Sequence, residues 1–269
     1  IGDIRDEDRL EMALKDVDYV IHAAALKQVP AAEYNPMECI RTNVNGAENV
    51  MMAALACNVE KVLALSTDKA ANPVNLYGAS KLASDKVFVA ANNLSGRRPT
   101  RFAVVRYGNV LGSRGSVLPF FRSLLDKGAT SLPITDKRMT RFWISIKHAI
   151  QFVNNCEILM RGGEIFIPKI PSIRITDLAR SIMPECKFKF IGTQPGEKLD
   201  EVLFSKEESA NIIEFKNYFL LKPTINLNNN NYEKSLKNEN GKKLNKNYAY
   251  TSNINKTFLS QSDIKKYLK

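Results

Sequence analysis

Tyr77 and Lys81 are the side chains with the clearest chemical potential in this sequence, and they stand four residues apart. Leu82, Val87, Phe88 and Ala91 recur at helical spacing after them, so the phenol and the ammonium share one helix face. A nearby cation favours phenolate, and in a dry site it lets a tyrosine with an ordinary pKa of roughly 10 act as a base near neutral pH. Spacing alone also fits an ordinary solvated helix. The context adds to it: Lys61-Val62-Leu63-Ala64-Leu65 has the length and bounding residues of a fully buried strand, followed directly by Ser66-Thr67-Asp68-Lys69. Those polar residues therefore emerge at a strand's carboxyl end, where open α/β sheets bind ligands, and Asn72-Pro73 breaks the chain before the helix.

The elements that must position this pair alternate. Arg9 to Leu14 reads as a short amphipathic helix and Asp18 to His22 as a buried strand. Ala23-Ala24-Ala25 then lets either a ligand or a packing helix approach the backbone. Asn35-Pro36 starts a helix expected to run through Leu55. Asn43 and Asn45 inside it are either surface residues or bridges between strand ends. Arg101 to Arg106 is another apolar strand, and the loop Tyr107 to Ser116 is rich in glycine and hydroxyls. Such a loop cradles phosphates through its N–H groups, with Arg114 adding charge, or it is a plain surface loop. Strand and helix in alternation predict an α/β fold with a Rossmann-like, doubly wound parallel sheet. Residues 1–170 form this domain, with 111–138 contributing to a substrate site. A smaller irregular substrate-binding region is expected at 171–225, then an Asn/Lys-rich flexible segment at 226–248 and a docking segment at 249–269.

Composition narrows the partners. The net charge is +11, but from residue 222 onward ten lysines face only Glu233, Glu239 and Asp263, so most of the excess sits in a solvated tail without interleaved arginines. Nucleic-acid binding is therefore not expected. Cys39, Cys57, Cys156 and Cys186 are irregularly spaced with only His22 and His148 beside them, which predicts buried reduced thiols and neither a metal site nor a disulfide framework. No run of eighteen apolar residues occurs, so no membrane span is expected and the cytoplasm is the default location.

Taken together, Gly2-Asp3-Ile4-Arg5-Asp6, Ala23 to Lys27, Thr42 to Gly46, Leu65 to Ala70, Asn75 to Lys81, Arg106 to Val110, Pro133 to Asp136 and Thr140 to Ile144 resemble the extended short-chain dehydrogenase/reductases. Within them the chain is most similar to the inverting UDP-N-acetylglucosamine 4,6-dehydratases of pseudaminic acid synthesis. Lysine at 69 marks that subclass, since the retaining nucleotide-sugar dehydratases usually carry Thr-Asp-Glu there. The resemblance implies NADP as cofactor, a UDP-sugar as substrate and a homo-oligomer. It assigns Tyr77, tuned by Lys81 and aligned by Thr67, to the proton of the sugar's 4-hydroxyl while hydride leaves carbon 4. Lys69, with its pKa lowered by burial and by Lys81, takes the carbon 5 proton, and Asp68 protonates the departing 6-hydroxyl. It further implies that Asp3 and Ile4 border the adenine, and that Ala23, Ala24, Ala25 and Lys27 line the cofactor's phosphate and ribose region. Asn109, Ser113, Arg114, Gly115, Ser116, Val117, Thr135, Arg141 and Glu197 would surround the sugar and UDP, with Lys27 also near the substrate.

Two departures accompany the resemblance. The family's glycine-rich phosphate loop and first strands have no counterpart, so the chain is expected to lack a first βαβ unit and, as given, to be unable to hold NADP. Gln194 stands before Pro195-Gly196-Glu197 where the family commonly has arginine, which removes a charge and a two-pronged anion contact. A nucleotide-sugar 4-epimerase on the same scaffold would need Tyr77 and Lys81 but no acid and base at 68 and 69. A non-catalytic nucleotide sensor would need neither.

Overall fold

The computed structural model describes residues 1–225, 230–244 and 247–268. Asp6 caps α1 (Glu7–Leu14) by accepting the Arg9 N–H, and β1 (Tyr19–His22) follows. Helices α2 (Val29–Tyr34) and α3 (Pro36–Ile40) lead through a π turn at Arg41–Asn45 into α4 (Gly46–Ala56). The single helix expected from Asn35 is thus divided by the π turn, within which the buried Asn43 side chain bonds to the Leu26 backbone. Then come β2 (Lys61–Thr67), α5 (Leu76–Leu94), β3 (Arg101–Tyr107), β4 (Asn109–Val110) and α6 (Val117–Asp126). The middle of the chain supplies β5 (Ser131–Ile134), β6 (Thr140–Ile144), α7 (Ile146–Leu159), β7 (Ile165–Pro168), β8 (Ser172–Arg174), α8 (Ile175–Ile182) and β9 (Lys187–Phe190). The remaining elements are β10 (Val202–Phe204), β11 (Ile212–Glu214), β12 (Tyr218–Leu221), β13 (Lys242–Lys243), β14 (Tyr250–Thr251) and α9 (Gln261–Leu268).

The main sheet runs β1-β2-β3-β7-β12-β11-β13, parallel across its first four strands and antiparallel beyond β7. β2 shows why a continuous apolar run forms a central strand. Val62 and Ala64 pack with Val50, Ala54, Phe88 and Ala91 of α4 and α5, while Leu63 packs on the other face with Val153 and Cys156 of α7. The fold is therefore α/β with helices on both faces of a parallel sheet, as the alternation of elements predicts.

Two expectations about the sheet change. Residues 18–22 read as a buried strand, but Tyr19 and Ile21 are half exposed (53 % and 51 %) and only His22 is buried. β1 is the edge strand among the described residues, with β2 as its hydrogen-bonded neighbour, and its Tyr19 and Ile21 side chains share one exposed face. Residues 212–221, assigned from the sequence to an irregular C-terminal region, instead extend the main sheet, since Tyr218-Phe219-Leu220-Leu221 is apolar on both faces and pairs along β7.

The smaller lobe is built from α6, α8 and the β5–β9 pair around Phe121, Leu132, Ile134 and Ala179. α9 docks on it through buried Ile264 beside Trp143 and Leu178. Within the expected flexible segment 226–248, residues 226–229 and 245–246 lie outside the described residues. Of its described residues, Tyr232 is buried and donates its hydroxyl hydrogen to the Gly162 carbonyl at 2.6 Å, and β13 joins the sheet edge.

Candidate active site

β2 ends at Thr67, and one 3-10 turn over Asp68–Ala70 carries the chain off the sheet. The Thr67 hydroxyl starts this turn by accepting the Lys69 N–H at 3.3 Å and also donates to Asp68 Oδ1 at 3.0 Å. Asp68 is buried, and Lys69 Nζ reaches its Oδ1 at 3.1 Å. Asn75 caps α5 by accepting the Gly78 N–H at 2.8 Å, which places Tyr77 and Lys81 in the first two turns. Gly78 is required there: a Cβ would collide with the Lys69 carbonyl oxygen. The Tyr-Gly pair thus lets the helix start touch the turn that carries the acid and the amine.

Thr67, Asp68, Lys69, Tyr77 and Lys81 line one cavity of about 1010 Å³ together with Ala23, Ala25, Lys27, Asn109, Ser113, Arg114, Gly115, Ser116, Val117, Thr135, Arg141 and Glu197. Gln194 also faces it. Three residues named from the sequence are not on this wall. Asp3 is engaged by Arg5 at 2.7 Å, Ile4 packs over Gly46 near α4, and Ala24 does not line the cavity. Arg141 lies on the wall, but its guanidinium donates to the carbonyls of Thr140, Leu199 and Lys198, so it braces the 198–200 stretch.

Sequence reasoning missed Glu201. It is 2 % exposed, with Oε1 at 3.1 Å from Lys69 Nζ and 3.6 Å from Arg141 Nε. A carboxylate three residues past the Pro-Gly-Glu-Lys turn, heading an apolar strand, was the only signal available. Asn43 was left open between surface and bridge, and it bridges: its amide accepts from Leu26 N–H at 2.7 Å and donates to Leu26 O and Ser80 Oγ at 2.9 Å each. This ties the loop after β1 to α5.

The electrostatics correct two expectations. Burial pulls the Lys69 ammonium down, but Asp68 and Glu201 outweigh it and hold the group above its ordinary range; the cation that pulls it down is Arg141 rather than Lys81. The expected lowered amine is therefore absent from the resting site, because two carboxylates flank it. Burial also pushes Tyr77 up to about 12, and the opposing pull comes from Lys69 and then Thr67 rather than from Lys81. Lys81 itself is lowered by burial, with Asp85, four residues on, pulling the other way. Burial raises the Asp68 carboxyl more than Lys69 lowers it. For Glu201, burial pushes upward but Lys69 and Arg141 prevail and keep the carboxylate charged. Behind this layer Arg106, fully buried, pairs with Asp85 at 3.3 Å and Glu208 at 3.1 Å.

Residues 1–223 match the polysaccharide biosynthesis protein family. The chain belongs to that family. It is 54 % identical over 266 residues to the inverting UDP-N-acetylglucosamine 4,6-dehydratase of Campylobacter jejuni subsp. jejuni serotype O:2, covering 98 % of this chain and 80 % of the relative. A UDP-glucose 4-epimerase of Rickettsia bellii is 45 % identical over 223 residues, which are 81 % of this chain and 65 % of that protein. Among solved structures, Pen from Bacillus thuringiensis superposes with a TM-score of 0.89 at 36 % identity, covering 100 % of this chain and 80 % of that one. The dTDP-glucose 4,6-dehydratase DesIV from Streptomyces venezuelae, at 23 % identity and a TM-score of 0.67, shares the fold. Among the described residues no helix is long and apolar enough to cross a membrane.

Proposed function

We propose that this protein dehydrates UDP-N-acetylglucosamine with inversion at carbon 5, giving a UDP-linked 4-keto-6-deoxy sugar of the arabino configuration. The observation that carries this reading is the Asp68–Lys69 contact at the end of β2, on the same cavity wall as Tyr77, in a chain so similar to an inverting dehydratase. The walls suit a dinucleotide on one side. Ala23 and Ala25 present only methyl groups, and Lys81 Nζ has no hydrogen bond or ion pair among the described residues. They suit a sugar nucleotide on the other, where Asn109 Oδ1 and Ser116 Oγ are buried with no hydrogen-bond partner among the described residues, beside Arg114. Ala23, Ala25, Lys27, Tyr77 and Lys81 would hold NADP, whose chemistry would be to accept a hydride at the oxidation of carbon 4 and supply it at the reduction of carbon 6.

The protein's own groups order the proton transfers. While Lys69 is an ammonium it pulls Tyr77 toward the phenolate, which then takes the 4-hydroxyl proton. The Lys69 proton then moves across 3.1 Å to Asp68, whose carboxyl is made readier to hold a proton by burial. The result is a neutral amine beside a neutral acid. The new ketone acidifies carbon 5; Lys69 takes that proton, and Asp68 gives its own to the 6-hydroxyl as water departs. A proton then reaches carbon 5 from the opposite face.

The test is to incubate the NADP-loaded full-length protein with UDP-N-acetylglucosamine and follow the sugar by proton NMR. A 4-keto-6-deoxy product with an inverted carbon 5 is expected, and replacing NADP with NAD should slow its appearance. UDP-N-acetylgalactosamine as sole product would make the protein an epimerase, as in the Rickettsia relative, and no turnover would favour a sensor.

A further inference from the structure

Glu201 is an expensive residue to place where it is. Its side chain is almost wholly enclosed, and Oε2 has no hydrogen-bond partner among the described residues. A buried carboxylate with one oxygen unsatisfied costs stability, so an apolar residue here would serve the fold better. The surroundings nevertheless fix it from both directions along the backbone. Ser252 Oγ accepts the Glu201 N–H at 2.9 Å, the Ser252 N–H returns to the Glu201 carbonyl at 2.9 Å, and Thr140 Oγ1 holds the Ser252 hydroxyl at 2.6 Å. The C-terminal segment thus locks the carboxylate against Lys69 at the head of β10.

Resting on the dehydratase reading, we propose that Glu201 is the positioning residue for Lys69, placing a fixed negative charge against the amine nitrogen on which positive charge develops as the carbon 5 proton is removed. In that step the Lys69 lone pair takes the carbon 5 proton, and the C–H electron pair becomes the carbon 5–carbon 6 double bond. The carbon 6–oxygen bond breaks with its electrons on oxygen, and the Asp68 proton completes the water. Lys69 ends as ammonium and Asp68 as carboxylate, so net charge is unchanged. That end point is the resting arrangement seen here, an ammonium between Asp68 and Glu201 at 3.1 Å from each. Fixed charge set in advance at the place where charge appears lowers the barrier of that step, counted from the neutral amine beside the neutral acid.

Glu201→Gln keeps the shape and removes the charge; Glu201→Asp keeps the charge at a longer reach. Stopped-flow absorbance of the reduced nicotinamide reports carbon 4 oxidation, and NMR of the quenched sugar reports elimination. In Glu201→Gln, oxidation should stay within about threefold of wild type while elimination slows by about 100-fold, so reduced cofactor accumulates, and Glu201→Asp should recover most of the loss. A second readout needs no substrate: pH-dependent acylation of Lys69, followed by mass spectrometry. In Glu201→Gln its midpoint should fall by about one pH unit, equivalent to a roughly tenfold rise in labelling at fixed pH. If Glu201→Gln does not fold, Glu201→Asp must show the same split between oxidation and elimination at smaller amplitude. Oxidation and elimination falling together, or an unmoved labelling midpoint, would overturn the inference. Wild-type protein that forms no keto sugar would overturn the dehydratase reading instead, and the labelling arm would still decide whether Glu201 governs Lys69.

Discussion

Replacing Glu164 with glutamine should turn a nearly level stability response between weakly acidic and neutral pH into one that rises with pH. Glu164 begins the turn into β7, is 1 % exposed, accepts the Arg161 N–H through Oε1 and leaves Oε2 without a partner among the described residues. Burial pushes its carboxyl from 4.5 up to about 7, against the pull of the Arg161, Glu164 and Gly162 N–H groups and the Arg161 charge. A carboxyl raised by folding binds its proton more tightly in the native state. Its contribution is therefore complete below about pH 4.5, erodes as pH rises and is gone above about pH 7. A gap of about 2.5 pH units at about 1.36 kcal/mol each makes the erosion roughly 3 kcal/mol. His22 works the other way: burial, then Lys81, lowers it to about 4 from 6.5, so its contribution is complete above about pH 6.5 and is lost as pH falls toward 4. The two slopes oppose each other across nearly the same window in the wild type. Glutamine cannot titrate, so Glu164→Gln leaves the His22 slope exposed. Urea unfolding followed by circular dichroism at intervals from about pH 4.5 to 8 should show the variant gaining about 3 kcal/mol on the wild type as pH rises. Parallel curves for the two proteins would refute the account of Glu164.

Arg106→Met should destabilise the fold by about 3 to 5 kcal/mol, because it strands the buried Asp85 carboxylate, and adding Asp85→Asn should restore much of that in the same urea titration. Gly78→Ala drives a methyl group into the Lys69 carbonyl and should lower kcat about 100-fold with little change in KM, measured by product NMR, since a displaced turn misplaces both acid and base. Lys69→Ala should abolish release of the 4-keto-6-deoxy sugar while reduced cofactor still forms on mixing with substrate; continued release of that sugar would remove Lys69 from the mechanism.

The parts of the molecule that could be read from the sequence are those fixed by local pattern. The apolar run of β2, buried on both faces, and the capped helix that begins by touching its end place Tyr77, Lys81, Asp68 and Lys69 within a stretch of consecutive residues. Position on a wall can be inferred from such a stretch; protonation cannot. The charge state of Lys69 is set by Asp68 and by Glu201; Glu201 arrives from the head of β10 and is held in turn by Ser252 next to β14. No periodicity links those positions. The same limit explains Arg141: the resemblance set it beside UDP, while the carbonyls of Thr140, Leu199 and Lys198 claim its donors. It also explains Lys81, whose spacing from Tyr77 is helical but whose charge answers to Asp85, so that Lys69 tunes the phenol instead. This exchange of partners alters the order of events in the proposed reaction. A phenolate supported by Lys81 could persist after the first proton transfer without consequence for the base, whereas one supported by Lys69 couples the two steps. Both steps draw on one group, since the ammonium that favours the phenolate must give up its own proton before it can act as the carbon 5 base.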